Sequence, residues 1–136
     1  MSSGLFNLNG KRALITGSSQ GIGFALAKGL AAEGVEIVLN GRNAEKLASA
    51  AKALEANGVK IHQMAFDATD HTAVREAIDG FESASGAIDI LVNNAGMQHR
   101  TALQDFPPEA FEQLLQTNIA SVFHVGQAVA RHMIGR

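Results

Sequence analysis

Compact apolar runs alternate along this chain with stretches whose apolar residues recur at helical spacing. Arg12-Ala13-Leu14-Ile15-Thr16 reads as a buried strand that breaks at Gly17. From Gly21 to about Glu33, Ile22, Leu26, Gly29 and Leu30 mark one face of a helix that Gly34 ends. Glu36 to Asn40 is a second strand. Asn43 is placed to cap a second helix with the face Leu47, Ala50, Ala51 and Leu54, stopped by Asn57-Gly58. Val59 to Phe66 reads as a third strand, and Asp70 opens a helix carrying Val74, Ile78 and Phe81 on one side. Ile88 to Val92 is a fourth strand, and Pro107-Pro108-Glu109 starts one last long helix. This strict alternation predicts an α/β fold: an open, mostly parallel sheet of about four strands with helices on both faces.

Composition narrows the class. The chain has 136 residues, enough for one domain, and spans 1–136 without an internal repeat or linker. Lys+Arg 11 against Asp+Glu 13, with no basic block, argues against a nucleic-acid partner. The absence of cysteine excludes disulfides, thiolate zinc and a cysteine nucleophile. The start, Met1-Ser2-Ser3-Gly4-Leu5-Phe6-Asn7, has no leader pattern, and no run approaches a membrane span, so a cytoplasmic protein is expected. His62, His71, His124 and His132 show no metal-ligand spacing, and no metal is expected.

Candidate chemistry begins at Thr16-Gly17-Ser18-Ser19-Gln20-Gly21-Ile22-Gly23, between the first strand and the first helix. An anionic phosphate needs unpaired N–H donors, close backbone approach and a favourable dipole, and a helix N-terminus offers all three. Glycines allow that approach and any turn with positive φ. The spacing is G-x-x-x-G-x-G and no Gly-Lys-Ser/Thr follows, which separates it from the Walker loop. Read alone, the same glycines also suit a plain tight turn.

With Asp67 after the third strand and Asn93-Asn94-Ala95-Gly96 after the fourth, the glycine loop resembles the short-chain dehydrogenase/reductase family, over the whole chain. Leu5-Phe6-x-Leu8-x-Gly10-Lys11, Asn94 to Arg100 and Val122-Phe123-x-Val125-x-Gln127-Ala128-Val129 are similar to family members that act on sugar acids. The resemblance implies a Rossmann-type doubly wound sheet, a small-molecule sugar-acid substrate and a homo-oligomer, tetrameric in the longer parent. It also implies that Gly17, Ser19, Gln20, Gly21, Ile22 and Gly23 hold a dinucleotide diphosphate.

Further site residues come from the same resemblance. Where the second strand ends, an acid favours NAD and an Arg accommodates the 2′-phosphate of NADP. Here Gly41 takes the place of the acid and Arg42 comes next, so NADP is favoured over NAD, although Gln20 is not basic. Asp67 is implied to accept from the adenine amino group, with Ala68 giving the next backbone N–H. The competing reading of Asp67 is a helix cap or solvated acid. Asn94, Ala95 and Gly96 are implied to line the cofactor, or the Asn pair ties adjacent strands.

Phe111, Leu115, Asn118, Val122, Val125 and Val129 share one predicted helix face, so Asn118 is expected as a buried amide in an apolar stripe. A buried amide without partners costs about 1–3 kcal/mol. In the family an Asn here belongs to the catalytic tetrad, its carbonyl holding a water linked to the active-site Lys. The structural alternative is an amide that sets helix register. Gln98 and Arg100 are candidates for the substrate's hydroxyls and carboxylate, or are simply solvated.

Family members run to about twice this length, and their further half carries Ser and Tyr-x-x-x-Lys, with the Tyr as general acid/base. This chain has no Tyr and no Lys after Lys60. The expectation is therefore an N-terminal, cofactor-binding portion without the catalytic half, inactive alone. A non-catalytic dinucleotide-binding or assembly module is the alternative, as is a different substrate such as a 3-oxoacyl thioester.

Overall fold

In the computed structural model, which describes residues 4–136, β1 (Arg12–Ile15), β2 (Glu36–Gly41), β3 (Ile61–Ala65) and β4 (Ile90–Val92) form one sheet. Met1, Ser2 and Ser3, part of the stretch read for a leader, lie outside the described residues. All pairs are parallel and the order is β3-β2-β1-β4. Leu14 is in register with Val38 on one side and Leu91 on the other.

Alternation of side chains across this sheet sends residues to both faces. Ala13, Ile15, Ile37 and Leu39 pack with α1 (Gly21–Ala32) and α2 (Ala44–Leu54). Leu14, Val38 and Met64 face the other way, against α3 (His71–Ser85) and α5 (Ser121–Ile134). Burial on two sides explains why the central strands β1 and β2 read as continuous apolar runs rather than alternating ones. Each fully buried Leu, Ile or Val contributes roughly 1.5–3 kcal/mol relative to exposure.

The helix boundaries reflect local chemistry. Asn43 Oδ1 accepts from the backbone N–H of Glu45 and Lys46 at 2.9 and 3.0 Å, and Asp70 Oδ1 from that of Ala73 at 3.1 Å. α2 tightens into a 3₁₀ turn over Glu55–Asn57 and stops at Gly58, whose φ of 74° suits only glycine well.

Two expectations are corrected. The buried face of α1 is Gly23, Ala27 and Ala31, not the larger residues, and Ile22 and Leu26 are 75% and 42% exposed. Small residues let the helix lie close on β1, which leaves Ile22 and Leu26 outside while Phe24 and Leu30 pack half-buried against the core. The last long helix is in fact two: α4 (Pro108–Leu115) and α5, joined by a π-helical turn over Gln116–Ala120. An extra residue in a helical turn rotates the downstream side chains about the helix axis by roughly 100°. Along the predicted face Val125 and Val129 are buried, while Phe111, Leu115 and Asn118 before the end of the turn, and Val122 just after it, are exposed.

Because the neighbours of β1 are β2 on one side and β4 on the other, the chain's winding reverses there. A crevice opens beyond the carboxyl ends of the strands at such a reversal.

Candidate functional site

The turn leaving β1 is held in two left-handed glycine conformations, Gly17 at φ 59° and Gly21 at φ 64°. Gly23 is needed for space. A Cβ there would collide with the carbonyl oxygen of Gly17 and stand 2.5 Å from Asn94 Nδ2. The turn is thus pressed between α1 and the end of β4.

Buried polar side chains fix it in place. Thr16 Oγ1 accepts from the backbone N–H of Asn94 and of Ala95, both at 2.9 Å. In return Asn94 Nδ2 donates to the carbonyls of Thr16 and Gly17 at 3.2 and 3.0 Å. From the other side, Asn40 Oδ1 accepts from Gly17 N–H at 3.1 Å while its Nδ2 donates to Met64 and Phe66 carbonyls at 2.9 and 3.3 Å. Ser18 Oγ donates to the Ile15 carbonyl at 2.6 Å and accepts from Asn40 N–H at 3.0 Å. Of the two readings of the Asn pair, a tie between strands therefore holds for Asn94.

One helix start differs from its neighbours. α2 and α3 are capped by Asn43 and Asp70, whereas Gln20 makes no cap bond to α1. The first amides of α1 have no intrahelical partner. They remain donors for an anion seated on the turn.

A cleft of about 560 Å³ lies over these strand ends. The turn contributes Gly17, Ser19 and Gln20, and the segment after β2 contributes Arg42. Asp67 and Ala68 come from the end of β3, and Asn94, Ala95 and Gly96 from the end of β4. Of the predicted turn residues, Gly21, Ile22 and Gly23 do not line it: Gly23 is buried beneath the turn, and the other two are exposed beside it.

Asp67 is not the cap of α3, a position Asp70 takes. Its Oδ1 accepts from Thr69 N–H at 2.9 Å and Thr69 Oγ1 at 2.8 Å. The bond from the Thr69 backbone outweighs partial burial and, with the Thr69 hydroxyl and the charge of Arg42, holds its carboxyl below the ordinary range. Arg42 is exposed and makes no hydrogen bond or ion pair among the described residues.

Asn118 is not buried, which corrects the expectation. It sits on the exposed π turn, where its Oδ1 accepts from Met97 N–H at 2.7 Å and its Nδ2 donates to the Met97 carbonyl at 3.0 Å. Met97 lines the cleft, with Gln116 and Thr117 of the same turn, so Asn118 braces the cleft wall from behind. Gln98 and Arg100 are exposed and outside the lining.

Lys46, which lines the cleft from the first turn of α2, has no signal in the sequence, and the buried Thr16, Ser18 and Asn40, although inside or beside the motifs, take their roles only in the structure. A polar residue ending an apolar strand, as Asn40 does, is the available signal, since its burial demands partners. Among the described residues no group of three or more His, Cys, Asp or Glu is placed to hold a metal ion. No helix among them is long and apolar enough to cross a membrane.

Comparison with known proteins matches this arrangement. The short chain dehydrogenase family profile matches residues 11–136. The chain is 54% identical over 132 residues to gluconate 5-dehydrogenase of Gluconobacter oxydans, and 42% identical over 132 residues to 5-keto-D-gluconate 5-reductase of Escherichia coli K12. Each match covers 97% of this chain and 52% of the relative, so the chain spans about half the length of these curated relatives. A gluconate 5-dehydrogenase from Burkholderia cenocepacia, crystallised in complex with NADP and tartrate, superposes with a TM-score of 0.92 at 53% identity, covering 96% of this chain and 51% of that one. With a Rossmann-type sheet of the same order of elements and a family profile over nearly its whole length, the chain belongs to the short-chain dehydrogenase family.

Proposed function

We propose that this chain is the dinucleotide-binding portion of an NADP-dependent oxidoreductase that interconverts D-gluconate and 5-keto-D-gluconate. The observation that carries the cofactor choice is the guanidinium of Arg42 at the cleft, without a hydrogen bond or ion pair among the described residues, where no carboxylate ends β2. The residues present fit such a group. Gly17 and Gly23 let the turn pack against Ala95 and Asn94 with no Cβ in the way, and the uncapped amides of α1 suit a diphosphate. Ser19 and Gln20 flank it, and Gly21 and Ile22 supply backbone N–H. Asp67, with Oδ2 outside the Thr69 bonds, suits an exocyclic amino group, and Ala68 N–H the adjoining ring nitrogen.

When bound, the cofactor supplies hydride exchange with a carbinol carbon. Asn94, Ala95 and Gly96 form the floor beside it, and Asn118 holds that wall through Met97. The sugar-acid substrate is carried over from the gluconate-acting relatives, with Gln98 and Arg100 as candidate contacts. No Tyr is present among the 136 residues, so the proton-transfer residue is not in this stretch and the chain alone does not turn over. That same absence favours one alternative, a dinucleotide-binding or assembly module. The exposed stripe Phe111, Leu115, Ile119, Val122 and Phe123 supports a homo-oligomer. A cytoplasmic location completes the reading.

The test is Arg42→Asp, with NADP and NAD affinities measured by calorimetry. We expect NADP to weaken by about tenfold and NAD to hold or improve. An unchanged ratio refutes the cofactor choice. A version extended by the relatives' second half should oxidise NADPH with 5-ketogluconate; no turnover there, with binding intact, favours the module.

A further inference from the structure

Beside the cleft lies a second cavity of about 480 Å³, lined by Ser19, Gln20, Phe24, Glu45, Lys46 and Ser49 among others. Ser19, Gln20 and Lys46 line both spaces. Ser19 Oγ lies 3.5 Å from where a Cβ on Gly41 would stand, which sets the hydroxyl against the end of β2 next to Arg42.

The charges at this corner do not balance around Arg42 alone. Asp67 lines the same cleft, near enough for the charge of Arg42 to contribute to its lowered pKa, so a carboxylate shares this corner with the single guanidinium. A phosphate monoester carries about −1.5 to −2 charges at neutral pH. Backbone donors at the start of α2 cannot supply the deficit, because the N–H groups of Glu45 and Lys46 are already bonded to Asn43. Lys46 is the remaining cation in the lining, exposed and without an ion pair or side-chain hydrogen bond among the described residues. Glu45, which lines only the second cavity, adds repulsion on that side.

We propose that Lys46 is a specificity-determining residue for the 2′-phosphate of NADP, completing with Arg42 and the Ser19 hydroxyl a seat where the two cavities meet. This rests on the NADP reading above. It assigns the selectivity to two side-chain cations rather than to Arg42 alone.

Calorimetric titration of the 136-residue chain with NADP and with NAD tests it, using Lys46→Gln and Lys46→Arg beside the unsubstituted chain. Lys46→Gln should weaken NADP by about fivefold to tenfold and leave NAD within about twofold. Lys46→Arg should retain most of the NADP affinity. The Lys46→Gln deficit should shrink as salt is raised, because the site is exposed. Thermal unfolding should not move, since the cap bond to this residue comes from its backbone. NADP affinity unchanged in Lys46→Gln, or NADP and NAD weakened alike, overturns the assignment while leaving the NADP reading intact. An unsubstituted chain that binds NAD at least as well as NADP refutes that reading and this one with it.

Discussion

The two ends of the same strands treat charge in opposite ways. At the amino ends of β1, β2 and β3, Glu36 is shared between Arg12 Nη2 at 2.9 Å and His62 Nε2 at 2.5 Å. Arg12 Nη1 also donates to the Ala87 carbonyl at 3.0 Å, Asp89 accepts from Arg12 N–H, and the guanidinium lies 5.5 Å over the ring of Phe81. The side chains of Arg12, Glu36 and His62 are half-buried and largely satisfy one another. At the carboxyl ends, Arg42 and Lys46 stand exposed and without a hydrogen bond or ion pair from their side chains among the described residues, and no side chain caps α1. A charge that has found its partner inside the protein holds strands together; one left without a partner beside a cleft is available to a ligand.

The sharpest way to break this contrast is at the carboxyl end. Gly23→Val forces a side chain into the Gly17 carbonyl and the Asn94 amide. We expect NADP binding to fall by more than about a hundredfold and stability by about 1–3 kcal/mol, from calorimetry and urea unfolding. Near-normal binding would mean that the turn need not keep its present shape.

At the amino end the expected effect is on stability alone. Glu36→Gln should cost about 1–3 kcal/mol and leave the NADP affinity of the folded chain unchanged. The same carboxyl sets a pH dependence. Burial pushes its pKa up, but bonds from His62 and Arg12, with their charges, outweigh burial and hold it below the ordinary 4.5. A lowered folded-state value means that its contribution is fully present above about pH 4.5 and is lost as pH falls through the folded value. Melting temperature should therefore drop more steeply below pH 4.5 in the unsubstituted chain than in Glu36→Gln. Parallel curves would remove Glu36 from the acid response.

The smallest effect sharpens the cleft wall. Asn118→Ala removes both bonds to Met97, on an exposed turn, and should cost about 0.5–1.5 kcal/mol. Faster hydrogen exchange at the Met97 amide, with little change in global unfolding, is the expected signature.

The strands, the caps at Asn43 and Asp70 and the face of α2 were legible because each depends on residues a few positions apart. The glycine turn was legible for the same reason. Its clamp was not: Asn40 meets Gly17 across 23 positions and Asn94 meets it across 77. The outward turn of Ile22 and Leu26 was hidden because hydrophobic spacing marks a face without saying which residues are small enough to be pressed against the sheet. Asn118 was misjudged because a helical period was carried straight through a π turn.

By itself, then, the amino-acid order determined the alternation of strands and helices and the residues able to meet a phosphate, since propensity, capping and periodicity act over one or two turns of chain. Only the tertiary structure decided which charges would be neutralised and which would stay open. Pairing of Arg12 with Glu36 and His62, and the isolation of Arg42 and Lys46, depend on which strand ends become neighbours once β1 settles between β2 and β4. Electrostatic attraction falls with distance in space, and distance along the chain says little about it.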